Sequence, residues 1–249
     1  MKRRRKGLRL LRLFILAAFL SIISWIGYYL IFPDVSSLRT INPKKTSFMA
    51  YREREWRDKG KRIKIDKRWV PISYISPYLV KAVIIAEDDK FWSHRGFDFE
   101  AIQKAIERDV KEGRLRFGGS TISQQLTKNL YLTPTKNPLR KIKEAIITWR
   151  LEKTLSKRRI LELYLNVVEW GVGIFGAEAA SLHYYGKSSR DLDPLEAARL
   201  AAILPNPIRY RVDSGSGYAE KRARIIYEIM VKRGIVVPEY EDVFSEGVP

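Results

Sequence analysis

The sequence predicts a mainly α-helical protein held at a membrane by one N-terminal helix. Residues 13–32 contain no charged side chain. Beyond them, apolar residues recur at helical spacing, and residues that cap helices precede several of these stretches. Polar and apolar side chains alternate only in residues 61–70, so at most one short strand is expected.

The first segment, residues 13–33, is long enough to cross a bilayer, because about twenty helical residues span roughly 30 Å. Residues 1–12 carry seven Lys or Arg and no acid, a bias that keeps a segment in the cytoplasm. Trp25, Tyr28 and Tyr29 lie near the other end, where an aromatic belt is expected. A cleaved signal peptide is the alternative, but the sequence Ile-Phe-Pro-Asp that follows does not look like a cleavage site. We therefore predict an uncleaved anchor with a cytoplasmic N-terminus.

The remaining chain divides into three predicted parts. Residues 34–70 form a juxtamembrane linker and lobe, which includes a helix from Thr46 to Lys59. Residues 71–235 form the main domain, and residues 236–249 form an acidic tail.

The main domain is predicted to be a series of capped helices. Pro77 to Glu87 reads as a buried helix, and a second, amphipathic helix carries Phe99, Ile102, Ile106 and Val110. Later helices are expected to start at Gly119-Ser120-Thr121, Asn137-Pro138, Ser156 and Asp193-Pro194, and a last one runs from Tyr218 to Arg233. The buried side of the helix that starts at Asn137 is expected to consist of Ile142, Ala145, Ile146 and Trp149.

Composition limits the chemistry. The chain has no cysteine and two histidines, which excludes disulfides, thiolate catalysis and cysteine-based zinc sites, and argues against a multi-histidine metal site. The formal net charge is +19, of which residues 1–12 supply seven, which leaves +12 for the rest. A globular part this basic is expected to have an anionic partner: phosphate, nucleic acid or an anionic membrane surface.

A group of acids marks the first candidate site. Residues 86–96 read Ala-Glu-Asp-Asp-Lys-Phe-Trp-Ser-His-Arg-Gly, directly after the apolar run of the helix that starts at Pro77. A carboxylate at the end of an apolar helix is partly desolvated, which raises its pKa and makes it a better base near neutral pH. A solvated helix terminus is the alternative, although acids at a helix C-terminus oppose the helix dipole.

Three more segments carry polar side chains in a distinctive order. Residues 118–129 read Gly-Gly-Ser-Thr-Ile-Ser-Gln-Gln-Leu-Thr-Lys-Asn, residues 140–144 read Arg-Lys-Ile-Lys-Glu, and residues 157–166 read Lys-Arg-Arg-Ile-Leu-Glu-Leu-Tyr-Leu-Asn. Taken alone, the two glutamines could form an exposed face. Arg140 and Glu144 could be an ordinary surface ion pair, which contributes about 0.3–0.5 kcal/mol. The polar residues of the third segment are better explained as structural.

In order and spacing, the four segments closely resemble the motifs of the peptidoglycan glycosyltransferases, or transglycosylases, over roughly residues 70–210. Within this family the chain is most similar to the monofunctional members. Class A penicillin-binding proteins carry the same domain together with a transpeptidase domain. This chain ends at Pro249 and contains no Ser-x-x-Lys, so we expect it to polymerise glycan without cross-linking it.

The resemblance implies a lysozyme-like helical glycosyltransferase domain with a small membrane-proximal lobe. It implies a reaction in which lipid II is polymerised into β-1,4-linked glycan and undecaprenyl diphosphate leaves. By motif match, Glu87 is the expected general base, and Glu144 is expected to orient donor-site cations or a metal. The residues expected to hold the donor diphosphate are Lys128, Lys136, Arg140 and Lys141. The residues expected to line the groove are Asp88, His94, Ser120, Thr121, Gln124 and Gln125.

The resemblance also implies partners and a location. The expected partners are lipid II, the growing glycan chain, membrane lipid and proteins of cell-wall synthesis or division. Nucleic acid is not expected, since no nucleic-acid-binding motif is found. A divalent cation such as Mg²⁺ is compatible with the phosphates, and no organic cofactor is expected. The predicted location is the bacterial inner membrane, with a single pass and the catalytic domain on the periplasmic side.

Two other functions are compatible with the sequence. A lytic transglycosylase or muramidase of lysozyme-like fold could use Glu87 and Glu144 as its carboxylate pair. It would not need Lys128, Arg140 and Lys141 together, because it acts on a neutral sugar. A membrane-tethered anion-binding protein could use the +12 charge alone, and its binding would not depend on Glu87.

Overall fold

The computed structural model describes residues 2–113, 119–134, 137–212 and 217–237, and it confirms the mainly helical fold. The helices within these ranges are α1 (Lys2–Ile31), α2 (Ser47–Asp58), α3 (Pro77–Glu87), α4 (Phe99–Glu112), α5 (Ile122–Tyr131), α6 (Pro138–Thr154), α7 (Lys157–Val167), α8 (Ala177–Tyr185), α9 (Pro194–Ile203) and α10 (Gly217–Lys232). The strands are β1 (Asp66–Lys67), β2 (Glu169–Gly171) and β3 (Ile174–Phe175). Most of the predicted tail, from residue 238 onward, lies outside the described residues.

Helix α1 is the one helix in the described part of the chain that is long and apolar enough to cross a membrane. Its apolar stretch starts at Leu10 and its side chains are largely exposed. The helix begins at Lys2, so it continues through the predicted basic tail without a break. An exposed apolar helix is stable in a bilayer, where its backbone groups bond internally and its side chains contact lipid.

The predicted helix starts are confirmed by their caps. The side chains of Thr46, Thr121, Asn137, Ser156 and Asp193 each accept a hydrogen bond from a backbone N–H in the first turn of the helix that follows. These bonds satisfy amide groups that have no partner inside the helix. At Thr121 the capping box is complete, because Gln124 Oε1 accepts a bond from the Thr121 N–H in return.

The core lies between the central helices. Leu79 and Val83 of α3, Leu126 of α5, Leu161 of α7 and Leu200 of α9 are all inaccessible to solvent. Helix α9 packs against both α3 and α10, and its alanines allow the close approach of these helices. The end of α3, which carries the acidic motif, is therefore fixed from several sides.

The prediction of at most one strand was wrong. β3 pairs with β1 in parallel and with β2 in antiparallel orientation, which gives a small sheet of order β1-β3-β2. The chain passes from β3 into α8 at Gly176, which has a φ of +87° and where a Cβ would lie 2.8 Å from the Asn166 carbonyl oxygen. The Asn166 amide also exchanges hydrogen bonds of 2.9 Å with both backbone groups of Val70, so it joins the juxtamembrane lobe to α7.

The predicted buried side of α6 was also wrong. Ile142 and Trp149 are 47% and 44% exposed, and the buried positions of this helix include Glu144, Ile147 and Thr148. The apolar face of α4 is exposed as well, with Phe99 and Val110 both 76% accessible. Apolar periodicity therefore located both helices correctly but not the surroundings of their apolar faces.

Candidate active site

The carboxylate of Glu87 is held at the last residue of α3, and its side chain is only 10% exposed. Gln125 Nε2 donates a hydrogen bond of 2.9 Å to Oε2, and Arg222 Nη2 lies 3.4 Å from Oε1. Burial raises the pKa of Glu87 above its usual value, while the bond from Gln125 and the charges of Arg222 and Lys128 oppose this rise. Glu87 is thus a desolvated carboxylate whose ionised form is stabilised by Gln125 and Arg222.

Behind Glu87, a second bond fixes the orientation of Gln125. The hydroxyl of Tyr164 donates to Gln125 Oε1 over 3.0 Å, and Tyr164 is completely buried on α7. Because the amide oxygen is occupied in this way, the amide nitrogen faces Glu87. Tyr164 therefore sets the direction of the donor without touching the carboxylate itself.

Asp88 and His94 fasten the acidic motif to the start of α5. His94 Nε2 lies 2.8 Å from Asp88 Oδ1, and the N–H of Ile122 donates to Asp88 Oδ2 over 2.9 Å. The other ring nitrogen of His94 accepts a bond of 3.1 Å from the Gly96 N–H, so Nε2 carries the proton that is donated to Asp88. Both side chains are almost fully buried, at 2% and 8% exposure. They hold Glu87 in place at the join between α3 and α5.

An open cleft of about 290 Å³ lies beside these residues. It is lined by Glu87 and Asp88 from the acidic motif, by part of α4, and by Ser120 and Thr121 in front of α5. Gln124 is 4% exposed and is used by the capping box, so its side chain lies behind this surface. Open space thus lies beside the end of α3, where Glu87 is located.

A second cluster surrounds Glu144, whose side chain is 3% exposed on α6. Arg140 Nη1 lies 2.8 Å from one carboxylate oxygen, and the ammonium of Lys141 contacts the other. The charges of both Glu144 and Glu87 act on Lys128 of α5, and both favour its protonated form. Burial lowers the pKa of Lys128, and the charge of Glu144 opposes this effect. Lys136 lies outside the described residues.

The arrangement thus combines one desolvated carboxylate, a second carboxylate that pairs with Arg140 and Lys141, and a third cation, Lys128, on which both acids act. The first group can accept a proton, and the cations can bind an anion such as a phosphate. Within the described ranges, no set of three or more acidic or histidine side chains could hold a metal ion. Glu144 is already paired with two cations, so it does not offer the free carboxylate that a Mg²⁺ site needs.

Comparison with known proteins supports this interpretation. The family model described as Transglycosylase matches residues 58–231. A biosynthetic peptidoglycan transglycosylase of Nitrosospira multiformis is 49% identical over 205 residues, which cover 82% of this chain and 89% of the relative. Relatives with the same name from Dechloromonas aromatica and Azoarcus sp. are 54% and 49% identical, over 75% and 85% of this chain and 81% and 90% of their own lengths.

The chain belongs to the transglycosylase family. The matched region extends from the end of α2 to α10, so it contains both carboxylate clusters and the helices that hold them. The resemblance seen in the four sequence segments is therefore confirmed, and the chain is a peptidoglycan glycosyltransferase.

Sequence reasoning did not identify two residues of this transglycosylase site. Arg222 lies on α10, far from the acidic motif in sequence, and its Nη2 donates to the Ala86 carbonyl oxygen over 2.8 Å as well as approaching Glu87. Tyr164 was seen only as a core residue of an apolar helix. A basic residue on the apolar side of the last helix was the available signal for Arg222, but a single sequence does not reveal which helix end it meets.

Proposed function

We propose that this glycosyltransferase polymerises lipid II, with Glu87 as the general base. The observation that supports this is the pair of clusters: Glu87 as a buried carboxylate with hydrogen-bond donors, and Glu144 in contact with Arg140 and Lys141. Lys128 interacts electrostatically with both acids. A base and a site for an anionic leaving group are the two requirements of glycosyl transfer from a lipid diphosphate.

In the proposed reaction, Glu87 takes the proton from the 4-hydroxyl of the N-acetylglucosamine of an incoming lipid II. The hydroxyl oxygen then forms a bond to C1 of the N-acetylmuramic acid at the end of the growing chain. The bond between C1 and the diphosphate oxygen breaks, and its electron pair leaves with undecaprenyl diphosphate. Attack on the face opposite to the leaving group inverts C1, which gives the β-1,4 linkage. A raised pKa suits this role, because a base is most effective when its pKa approaches the working pH.

The cations are proposed to stabilise the leaving group. Negative charge grows on the diphosphate as the bond breaks, and Lys128, Arg140 and Lys141 supply positive charge in a partly desolvated setting, where it acts more strongly than in water. Glu144 keeps Arg140 and Lys141 in position for this. A divalent cation would reach the site with the diphosphate of the substrate, and no step requires it to be held by the protein beforehand.

The membrane helix is proposed to keep the enzyme where its substrate is. The lipid of the donor and of the acceptor stays in the bilayer, and α1 would hold the domain at the same surface. The basic residues before α1 favour a cytoplasmic N-terminus and a periplasmic catalytic domain. Proteins of cell-wall synthesis or division are the proposed partners.

The test uses full-length protein in detergent with labelled lipid II, with preformed glycan as a second substrate and products resolved by size. We expect polymer from the native enzyme and untouched glycan. Glu87→Gln should lower the rate by at least about 100-fold, the lower end of the usual contribution of a general base. Glu53→Gln, the same change at a partly exposed glutamate of α2 that pairs with Lys45, is the matched control and should keep activity. Shortened glycan with unchanged lipid II would instead identify a lytic enzyme.

A further inference from the structure

A cleft lies between the end of the membrane helix and the catalytic domain. Neither Glu87 nor Glu144 lines it. It has a volume of about 620 Å³. One wall consists of Tyr28, Tyr29 and Phe32 at the end of α1, and the opposite wall includes Arg140 and Lys143 of α6. It therefore combines an aromatic surface with two cations.

The depth of the cleft in the membrane follows from its aromatic wall. Tyr and Trp side chains at the end of a spanning helix lie at the level of the lipid headgroups. Trp25, Tyr28 and Tyr29 are such residues, and the ammonium of Lys143 lies 5.5 and 4.8 Å from the ring centres of Trp25 and Tyr29. The cations of α6 thus face the layer in which lipid phosphates are found.

The two walls are held together by specific contacts. Arg150 of α6 donates hydrogen bonds of 3.1 and 2.6 Å to the carbonyl oxygens of Tyr29 and Ile31. Val35, Leu132 and Ile147 form a small apolar cluster at the base of the same junction. The cleft is thus a built feature of the junction between anchor and enzyme.

Charge in the cleft favours an anion with an apolar chain. Asp34 also lines it, and bonds from the N–H and hydroxyl of Ser36 keep this carboxylate ionised, so the lining has two cations, Arg140 and Lys143, against one carboxylate. Arg140 belongs to both this cleft and the cation cluster at Glu144, which connects the cleft to the proposed donor site. Arg140 and Lys143 are three residues apart on α6, so they are neighbours on one side of the helix, and an anion held at Arg140 lies next to Lys143.

We propose that this cleft is the exit site for the polyprenyl diphosphate released in the reaction, with the diphosphate at Arg140 and Lys143 and the chain along Tyr28 and Phe32. The proposal rests on the function proposed above, because it takes its ligand from that reaction. Lys143 is the residue that distinguishes the exit site from the donor site.

The test uses full-length protein in lipid nanodiscs with a polyprenyl diphosphate that carries a photoreactive group on its first isoprene unit. Labelled peptides are mapped after irradiation. We expect the label on residues 25–33. Lys143→Ala should reduce this labelling about tenfold at a subsaturating probe concentration, since it removes one charge-assisted contact. Lys153→Ala is the matched control: Lys153 lies on the same helix and contacts an aromatic ring, that of Trp149 at 4.1 Å, but does not line the cleft.

A second variant tests the cleft from its other wall, so that a loss of labelling is not caused only by a change in α6. Tyr28→Ala shortens the aromatic wall without changing α6 and should also reduce labelling, while thermal unfolding stays close to that of the native protein. Phosphatidylglycerol with the same photoreactive group, at the same mole fraction, tests the other source of a lipid phosphate. Labelling by both lipids to the same extent would assign the cleft to bulk lipid and overturn the proposal.

Polymer formation from lipid II is measured on the same preparations, which separates the two proposals. Polymer from the native protein, together with equal labelling of the native, Lys143→Ala and Tyr28→Ala proteins, would overturn the exit site and leave the glycosyltransferase function standing. Absence of polymer from the native protein would overturn both.

Discussion

Replacement of Tyr164 by phenylalanine removes a single hydroxyl group from the fully buried ring behind the proposed base. The hydroxyl is the donor to Gln125 Oε1. Without it, the Gln125 amide loses the bond that keeps its nitrogen turned toward Glu87, and rotation can present the amide oxygen instead. Glu87 then loses the hydrogen bond of 2.9 Å that favours its ionised form.

The sign of the effect follows from the pKa of Glu87, which burial raises and the bond from Gln125 lowers. A general base works when ionised, so the rate increases as pH rises through that pKa. Loss of the Gln125 donor raises the pKa further and shifts the acidic limb of the profile to higher pH. Asp88, Lys128 and Arg222, the other charged groups that act on Glu87, are unchanged in the variant.

The magnitude comes from the bond that is lost. A hydrogen bond to a charged group contributes about 1.5–3 kcal/mol, and a factor of ten in an equilibrium corresponds to about 1.4 kcal/mol. We therefore expect kcat/KM to fall at least about tenfold on the acidic limb and to change little on the alkaline side. The loss of one buried hydroxyl contact should cost about 1 kcal/mol of stability, which corresponds to roughly 2–4 °C in Tm.

The assay is lipid II polymerisation from pH 5 to pH 9, with Tyr185→Phe as the matched control. The Tyr185 hydroxyl lies 3.5 Å from the Glu196 carbonyl oxygen and has no bond to the acidic motif. An equal loss of rate at every pH would mean that Tyr164 acts only on folding, and an unchanged profile would refute the orienting role.

Three further outcomes are expected. Arg222→Met removes a cation near Glu87, so the acidic limb should again move to higher pH, and a profile at the native position would contradict this. Asp88→Asn places an amide NH2 against one of the two donors that Asp88 now accepts from, His94 Nε2 or the Ile122 N–H, so activity should fall more than tenfold and unfolding should occur at lower temperature. Unchanged activity would remove Asp88 from the support of the motif. Gly176→Ala meets backbone at 2.8 Å with a φ of +87°, so Tm should fall by roughly 5–10 °C. The control Gly60→Ala has a similar φ but open space around it, and it should lose less.

Much of the fold was accessible from the sequence because its signals are local. Helix α3 was predicted with its observed limits, and the starts of α5 and α6 follow from Thr121 and Asn137, whose side chains bond within the next three residues. The two carboxylates and their cations were found by motif match, and their roles remain predictions. Lys136 was predicted to join them but lies outside the described residues.

The misses have physical causes. The strands β2 and β3 contain three and two residues, too few for an alternating pattern to emerge. Ile142 and Trp149 were assigned to the protein interior because periodicity shows that a helix has an apolar face but not what that face contacts. In a chain with a membrane anchor, lipid is a second apolar environment. Arg222 reaches Glu87 only through tertiary packing of α10, which no local pattern encodes.

The hydrogen bonds from Arg150 to carbonyl oxygens at the end of α1 affect how the enzyme is oriented on the bilayer. Each residue turns an α-helix by about 100° and advances it by about 1.5 Å. Because Arg150 bonds the domain to the carbonyl oxygens of Tyr29 and Ile31, the direction in which the domain faces along the membrane surface depends on the rotation of α1 about its own axis. One residue inserted before Tyr29 would rotate the preceding part of α1 by about 100° relative to the domain. The distance of the domain from the membrane would change by only about 1.5 Å. Helix α1 thus sets the orientation of the domain at the membrane as well as its attachment.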